Sequence, residues 1–196
     1  MGCTVTFHDR IGHDRLTEAV EPLNADGALA ILESAICETV KRAYEGRETE
    51  VELTLCGDPE MERLHFDHMG ERGPTDVLSF PLHEWSLDGA ASHLADEDGV
   101  GPPGMPLLLG DVVIDVDQAL RQSADGGWSV AEELALLAVH GTLHLMGHDH
   151  AEIEEEEQMR AAEQTVLRVL HRRHHDVAWR PGSLFDRAGH AVTSGS

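Results

Sequence analysis

The stretch HGTLHLMGHDH, residues 140–150, holds four of the 14 histidines of this chain. His140 and His144 are four residues apart in an apolar segment, so on a helix their imidazoles project from the same face, one turn apart. Gly147 can end such a helix in a left-handed conformation and turn the chain back, which brings His150 within reach of the same ion. Three nitrogen ligands with a fourth position left open are typical of a catalytic zinc site.

We therefore predict one metal ion, bound by His140, His144 and His150. Burying two unpaired imidazoles in the most apolar segment of the chain would cost on the order of several kcal/mol, which favours metal ligation over two core histidines. Zinc is the default ion, although imidazole also suits nickel, copper and iron, and the spacing alone does not choose among these transition metals. His148 falls outside the spacing, and Asp149 either caps the turn or accepts a hydrogen bond from a ligand imidazole.

The spacing of these histidines also matches the zinc-protease pattern H-E-x-x-H-x-x-G-x-x-H, so a peptidase is one alternative. Proteases of this type place a glutamate directly after the first histidine, where it acts as general base. This chain has Gly141 at that position. Because zinc can activate water without such a base, peptide hydrolysis stays open, although one part of the proteolytic machinery is missing.

The composition fits one acidic domain. With 196 residues, of which 41% are hydrophobic, the chain can bury one sizeable core. Its 37 acidic and 14 basic residues give a formal net charge of -23, which would repel a polyanion and makes DNA an unexpected partner. Such a surface is also expected of a protein adapted to concentrated salt, where a Debye length of about 3 Å removes distant repulsion. We keep adaptation to high salt as a hypothesis.

The sequence also bears on the compartment. No basic segment followed by an apolar run resembles a secretory signal, and no apolar run reaches the ~20 residues that a membrane span needs. The three cysteines, Cys3, Cys37 and Cys56, have no C-x-x-C spacing, so reduced thiols are the simplest interpretation. Together these features predict a cytoplasmic protein without a membrane partner.

Hydrophobic periodicity predicts strands at residues 5–8, 50–56, 75–81 and 107–116, and helices at residues 28–44, 58–68, 129–147 and 151–173. Asp58 followed by proline predicts an N-cap for the second of these helices. Strands and helices mix without a regular βαβ repeat, which indicates an α+β fold with a small mixed sheet packed against helices. We predict a single metal-hydrolase domain over residues 1–173, with a surface loop or insertion at residues 83–106 and a disordered tail at residues 174–196.

Together with GPTDVLSFPL, residues 73–82, and LGDVVID, residues 109–115, the histidine stretch resembles the YbeY family of bacterial endoribonucleases and rRNA maturation factors. The three blocks follow the family's order. The resemblance implies a zinc-dependent, single-strand-selective endoribonuclease that acts in 16S rRNA 3′-end maturation and in ribosome quality control. It implies rRNA, the small ribosomal subunit and ribosomal proteins as partners. It also implies a fold that is metalloprotease-like around the central helix, with His140, His144 and His150 as the metal ligands.

The resemblance leaves the catalytic residues unassigned. It places Thr75, Asp76 and Ser79 on the strand that borders the cleft, where they either serve the reaction or stabilise the strand. Many family members carry an arginine shortly before the TDVLSF block for substrate handling, and this chain has Met69 at the matching position. Arg72 either replaces that arginine or is only solvated, so the phosphate-binding group stays open.

A third interpretation is not enzymatic. In it the chain is a ribosome-assembly factor, and zinc only stabilises the turn after the central helix. The acidic surface supports this alternative, because it suits basic ribosomal proteins better than bare RNA. The metal-dependent endoribonuclease, a hydrolase of phosphodiester bonds, remains the favoured prediction because Gly141 stands where a protease needs glutamate and the TDVLSF block accompanies the histidines.

Overall fold

The computed structural model of the chain describes residues 2–41, 43–44, 47–83, 105–148 and 153–174. Most of the predicted loop at residues 83–106 and of the predicted tail at residues 174–196 lies outside these ranges, so the domain boundaries stay predictions. The described residues form strands and helices in the order β1 (Cys3–Asp9), α1 (His13–Ala19), α2 (Ala25–Lys41), β2 (Thr49–Cys56), α3 (Asp58–Met69), β3 (Val77–Pro81), β4 (Leu107–Asp115), α4 (Val116–Gly126), α5 (Val130–Leu145) and α6 (Ile153–Arg173).

The four strands form one mixed sheet in the order β1-β2-β4-β3. β1, β2 and β4 are parallel, and β3 runs antiparallel to β4. α5 contacts β3, β4, α2, α4 and α6, so it is the central helix of the described structure. The predicted α+β fold, with a small mixed sheet packed against helices, is confirmed.

The hydrophobic pattern explains how the sheet is covered. Val51, Leu53 and Leu55 alternate along β2 and are buried in the main core, as the sequence predicts. On the α3 side, a smaller apolar cluster is formed by Cys56, Met61, Leu78 and Val113. The sheet therefore has apolar contacts on both faces, and the larger core lies between the sheet and the layer of α2 and α5.

The sequence prediction contains neither α1 nor α4, and it assigns the wrong N-cap to α3. The prediction that Asp58 caps α3 is wrong: Gly57 is the N-cap residue, and Asp58 is the first residue inside the helix. Its carboxylate binds Arg121 rather than the helix amides. α4 begins directly where β4 ends, because the Asp115 carboxylate accepts hydrogen bonds from the backbone amides of Asp117 and Gln118. The buried residues of α4 do recur at helical spacing, at Val116, Ala119 and Ser123, but the predicted strand runs on to Val116 and so includes the first residue of this helix.

β3 lies unusually close to β4 at one residue. Gly110 has a φ of +141°, and a Cβ added to it would lie 2.2 Å from the backbone oxygen of Phe80. Glycine is required here for two reasons. Other residues rarely adopt this φ, and any side chain would collide with the neighbouring backbone. The glycine of the LGDVVID block therefore allows β3 to pair with β4.

Both ends of α5 are fixed by local sequence. At its start, Ser129 and Glu132 form the predicted capping box, with each side chain bound to the other's backbone amide. At its end, Gly147 has a φ of +81°, and the amides of Gly147 and His148 donate to the carbonyls of His144 and Leu143. These two bonds form a Schellman motif, and Gly147 has the left-handed conformation that the sequence predicts. Among the described residues, no helix combines the length and apolar character needed to cross a membrane.

Candidate metal centre

His140 and His144 turn the same ring atom towards a common point. Their Nε2 atoms are 3.1 Å apart, and their rings meet edge to face at an interplanar angle of 78°. Both side chains project from α5, the central helix, and His140 is buried. The predicted projection of the two imidazoles from one face of a helix is therefore observed.

The last helix supplies a carboxylate that orients the first of these rings. Nδ1 of His140 donates to Oε1 of Glu163 over 2.7 Å, and both side chains are largely withdrawn from solvent. Because the carboxylate holds a proton on Nδ1, the Nε2 atom of His140 keeps its lone pair. Histidine ligands of metals are commonly oriented by such a carboxylate, which also makes the ligand nitrogen more basic.

This donor set fits a transition metal. Two nitrogen ligands of a tetrahedral zinc ion lie roughly 3.3 Å apart when each is about 2.0–2.1 Å from the ion. The observed Nε2–Nε2 distance of 3.1 Å is close to that value. At this distance His144 can also donate a hydrogen bond to the Nε2 lone pair of His140. A bound metal would replace the hydrogen of that bond. His150 and Asp149 lie outside the described residues, so the third ligand and the role of Asp149 stay predictions.

The sequence carried a signal for Glu163 that hydrophobic periodicity overlooks. Met159, Val166 and Leu170 form the buried stripe of α6, and Glu163 falls on the same stripe. A carboxylate among inward-facing apolar residues needs a partner, because burying it alone is costly. That partner is His140.

We expect Glu163→Gln to lower zinc affinity by about 10- to 100-fold, the usual cost of losing a carboxylate that orients a metal ligand. The amide oxygen can still accept from Nδ1, so the fold should be retained while the basicity of His140 falls. Competition with a chelating dye would measure the affinity. Glu157→Gln is the matched control, because Glu157 is exposed on the same helix. Equal affinities in both variants would contradict the positioning role of Glu163.

The sheet packs against α5 at Gly141. A Cβ at this position would lie 2.7 Å from Cγ1 of Val112 and 3.1 Å from Oγ of Ser79. Ser79 also donates its hydroxyl to the Gly141 carbonyl over 3.0 Å. The place where a zinc protease carries its glutamate is therefore filled by β3 and β4, which disfavours the peptidase alternative.

Asp76 joins the start of β3 to α4. Its Oδ1 atom accepts from the amide of Val77 and the hydroxyl of Thr75, and its Oδ2 atom accepts from Gln122 over 2.9 Å. These bonds use both oxygens of a buried carboxylate. The observed contacts of Asp76 and Ser79 thus favour stabilisation of the strand, one of the two roles left open by the sequence.

Comparisons with known proteins agree with this geometry. The family model described as endoribonuclease YbeY matches residues 17–171. This chain belongs to the YbeY family. A relative from Desulfitobacterium hafniense (strain Y51), named endoribonuclease YbeY, is 43% identical over 147 residues, which cover 74% of this chain and 88% of that protein. One of the same name from Salinispora tropica is 37% identical over 150 residues, 76% of this chain and 90% of the relative.

A solved structure supports the fold separately. The solution structure of TM1509 from Thermotoga maritima aligns with a TM-score of 0.53 at 20% identity, covering 88% of this chain and 93% of the other. At that identity the likeness concerns the fold alone. The resemblance inferred from the histidine, TDVLSF and LGDVVID blocks, and with it the enzyme class of the family, is confirmed.

Met69 lies at the end of α3, where it is 50% exposed. The turn that follows is held by His65, whose Nδ1 donates to the Gly73 carbonyl over 2.8 Å. Arg72 lies exposed on this turn, and within the described residues it forms no ion pair. An arginine that is not already neutralised is available to an anionic substrate.

YbeY proteins are metal-dependent in general, and this chain has a second group of residues that could hold a cation. We call Asp58, Asp115 and Asp117 the acidic cluster, because they offer oxygens within 4.8 Å of one another. Arg121 binds Asp58 through two hydrogen bonds, and Arg15 binds Asp117. Two arginines and the amino ends of α3 and α4 already supply positive charge there, which disfavours a metal.

One carboxyl group of the acidic cluster, that of Asp115, holds a proton. Burial, together with the contact with Asp58, raises the pKa of Asp115 to about 7, whereas the guanidinium of Arg121 keeps the pKa of Asp58 below its ordinary value. The neutral Asp115 carboxyl therefore faces an ionised Asp58. A protonated carboxyl beside a carboxylate avoids placing two negative charges next to each other.

We expect the contribution of Asp115 to the stability of the protein to fall as pH rises from about 4 towards 7, because over this range the unfolded state loses the Asp115 proton while the folded state still holds it. Because the folded-state pKa is raised, the stabilising contribution is complete below the unfolded pKa and is lost through the folded one. Asp115→Asn keeps a neutral cap and should be more stable than wild type at pH 8 by an amount on the order of a few kcal/mol. Urea unfolding of wild type and Asp115→Asn at pH 4 and at pH 8 measures this difference in stability.

Asp125→Asn is the control for this experiment, since Asp125 is exposed on the same helix. It makes the same chemical change at a carboxylate that lies outside the acidic cluster. A constant difference between wild type and Asp115→Asn from pH 4 to pH 8 would contradict the protonation of Asp115.

Proposed function

We propose that this member of the YbeY family is a zinc-dependent endoribonuclease that cleaves single-stranded RNA and acts in 16S rRNA 3′-end maturation and ribosome quality control. The observation that carries the proposal is the pair of Nε2 atoms of His140 and His144, 3.1 Å apart and backed by Glu163. Curated relatives that are named endoribonuclease YbeY support the reaction class. The proposed partners are rRNA, the small ribosomal subunit and ribosomal proteins, in the cytoplasm.

Each residue of the site has a proposed task. His140, His144 and His150 hold one zinc ion, or another divalent transition metal, and Glu163 fixes the orientation of the His140 ring. When bound, such an ion polarises a phosphoryl oxygen and makes a water more acidic. Arg72, on the turn before β3, contacts a substrate phosphate in place of the arginine that Met69 replaces.

The nucleophile has two candidates. Water and the 2′-hydroxyl of the RNA can both attack phosphorus, and Gly141 gives neither of them a carboxylate base. The ends of the products separate the two: a 2′,3′-cyclic phosphate indicates internal attack, and a 5′-phosphate with a 3′-hydroxyl indicates attack by water.

The experiment incubates metal-analysed protein with a 16S rRNA precursor at low and high salt, with and without a chelator, and maps the product ends. We expect cleavage at unpaired positions that stops with chelator and returns with zinc. High salt should aid cleavage, because the net charge of -23 repels RNA less when it is screened. Cleavage that persists with chelator would show that the histidine site does not act.

The non-catalytic ribosome-assembly factor is a second candidate, favoured by the acidic surface. It is tested in the same chain by measuring ribosome association of His140→Ala/His144→Ala alongside RNA cleavage. Retained association without cleavage would assign assembly to the acidic surface and cleavage to the metal. Wild-type protein that associates with the ribosome but cleaves no RNA under any metal condition would favour the assembly factor alone.

A further inference from the structure

β1 and α2 bring two of the three cysteines into contact. The thiol of Cys37 donates to the backbone carbonyl of Cys3 over 3.3 Å. The thiol of Cys3 donates to the backbone carbonyl of Thr4, and Cys3 pairs with Thr49 across the two strands β1 and β2. We call Cys3 and Cys37 the thiol pair. Cys56, by contrast, is fully buried in the apolar cluster beneath α3.

The contact makes the two thiols unequal. The hydrogen bond from Cys37 lowers the pKa of the Cys3 thiol, and the same bond raises the pKa of Cys37 well above its usual range. Glu33 faces both sulfurs and raises the pKa of each, whereas Arg173 lowers that of Cys37. Thiolate character therefore concentrates on Cys3, and a thiolate is the form that attacks a disulfide.

The thiol pair is also reachable and able to close. Both side chains are partly exposed, so a small reagent can approach them. The Cys37 sulfur lies 3.3 Å from the carbonyl oxygen of Cys3, the residue that it would join. A disulfide needs a sulfur–sulfur distance of about 2.05 Å, and rotation about the side-chain bonds of Cys3, which lies on the edge strand β1, can bring the two sulfurs together.

We propose that Cys3 and Cys37 form a redox modification site that closes to an intramolecular disulfide with a low-molecular-weight disulfide, such as oxidised glutathione, as the oxidant. The Cys3 thiolate attacks one sulfur of the oxidant, which forms a mixed disulfide and releases one glutathione thiolate. The Cys37 thiol then loses its proton and attacks the Cys3 sulfur, which releases the second glutathione. The two protein thiols are oxidised, the oxidant is reduced to two thiols, and the disulfide forms between Cys3 and Cys37.

The contact between Cys3 and Cys37 determines which thiol reacts first. A mixed disulfide on Cys3 removes the thiolate that disfavours ionisation of Cys37, so the pKa of Cys37 falls once the first step is complete. Cys37 then attacks without leaving its position on α2. The product joins the edge strand to the helix that packs on it.

Oxidised glutathione is added to the native full-length chain, and intact mass and peptide mapping follow the products. We expect a species lighter by two hydrogens, with Cys3 joined to Cys37, no lasting glutathione adduct, and Cys56 unreacted. The oxidised protein should melt at a higher temperature than the reduced one, and the shift should disappear with dithiothreitol. Amides of β1 should exchange with deuterium more slowly once the crosslink forms.

Two variants separate the roles. Cys37→Ser should accumulate a glutathione adduct on Cys3, because the resolving thiol is missing. Cys3→Ser should react at least tenfold more slowly, because burial and the charge of Glu33 keep the pKa of Cys37 raised even when Cys3 is absent. A stable adduct on wild-type protein, a disulfide between two chains, or first attack by Cys37 would overturn the proposal. Peptide mapping of wild type decides the matter even where a variant folds poorly.

Discussion

Replacing His140 and His144 together with alanine is expected to abolish stoichiometric zinc binding and to reduce RNA cleavage by at least about 10²- to 10³-fold. The estimate follows from the several kcal/mol of charge stabilisation that a metal ion gives a phosphoryl-transfer transition state, at about 1.4 kcal/mol per tenfold change in rate. Metal content by mass spectrometry and initial rates on a single-stranded RNA measure the two effects.

His144→Ala alone is the safer variant for folding, because it keeps the buried bond between His140 and Glu163. His148→Ala is the matched control within the same stretch and should keep one equivalent of zinc. If the double variant still binds zinc at full affinity, the metal binds at other residues, and the proposed histidine ligands are wrong. Loss of zinc from His148→Ala would add a ligand that the spacing does not predict.

The largest effect on stability is expected from Gly110→Ala, which should destabilise the fold by about 2–5 kcal/mol. The new Cβ would lie 2.2 Å from the Phe80 carbonyl oxygen, and the φ of +141° is one that alanine rarely adopts. Strain and overpacking together give this range. The melting temperature should fall by roughly 10 °C, which thermal unfolding followed by circular dichroism measures.

The variant Gly73→Ala separates the backbone strain from the steric collision. Gly73 also has a positive φ, of +96°, but a Cβ there meets no atom within 4 Å. That variant should lose only the conformational part, about 1–2 kcal/mol. Equal losses in the two variants would show that the close approach of β3 to β4 contributes nothing.

Local sequence was sufficient wherever one segment determined its own structure. The alternation of Val51, Leu53 and Leu55 predicts β2, and Ser129 with Gly147 predicts both ends of α5. The i, i+4 spacing of two histidines likewise predicts their shared face. In each case the residues that matter are neighbours on one strand or one helix, so periodicity and capping rules reach them.

Features that depend on contacts between elements were not predictable in this way. Glu163 orients His140 from a helix 23 residues further along the chain, and no local rule links the two. Asp115 ends β4 and caps α4, while its charge is set by Asp58. The wrong cap assigned to Asp58 has the same origin, because Arg121 binds its carboxylate from another helix.

The most direct test of the account is the position of the metal itself. A crystal of the zinc-loaded protein, measured on both sides of the zinc absorption edge, shows where the ion binds. We predict one anomalous peak about 2.0–2.1 Å from the Nε2 atoms of both His140 and His144. A peak within the acidic cluster of Asp58, Asp115 and Asp117, with none at the histidine pair, would contradict it.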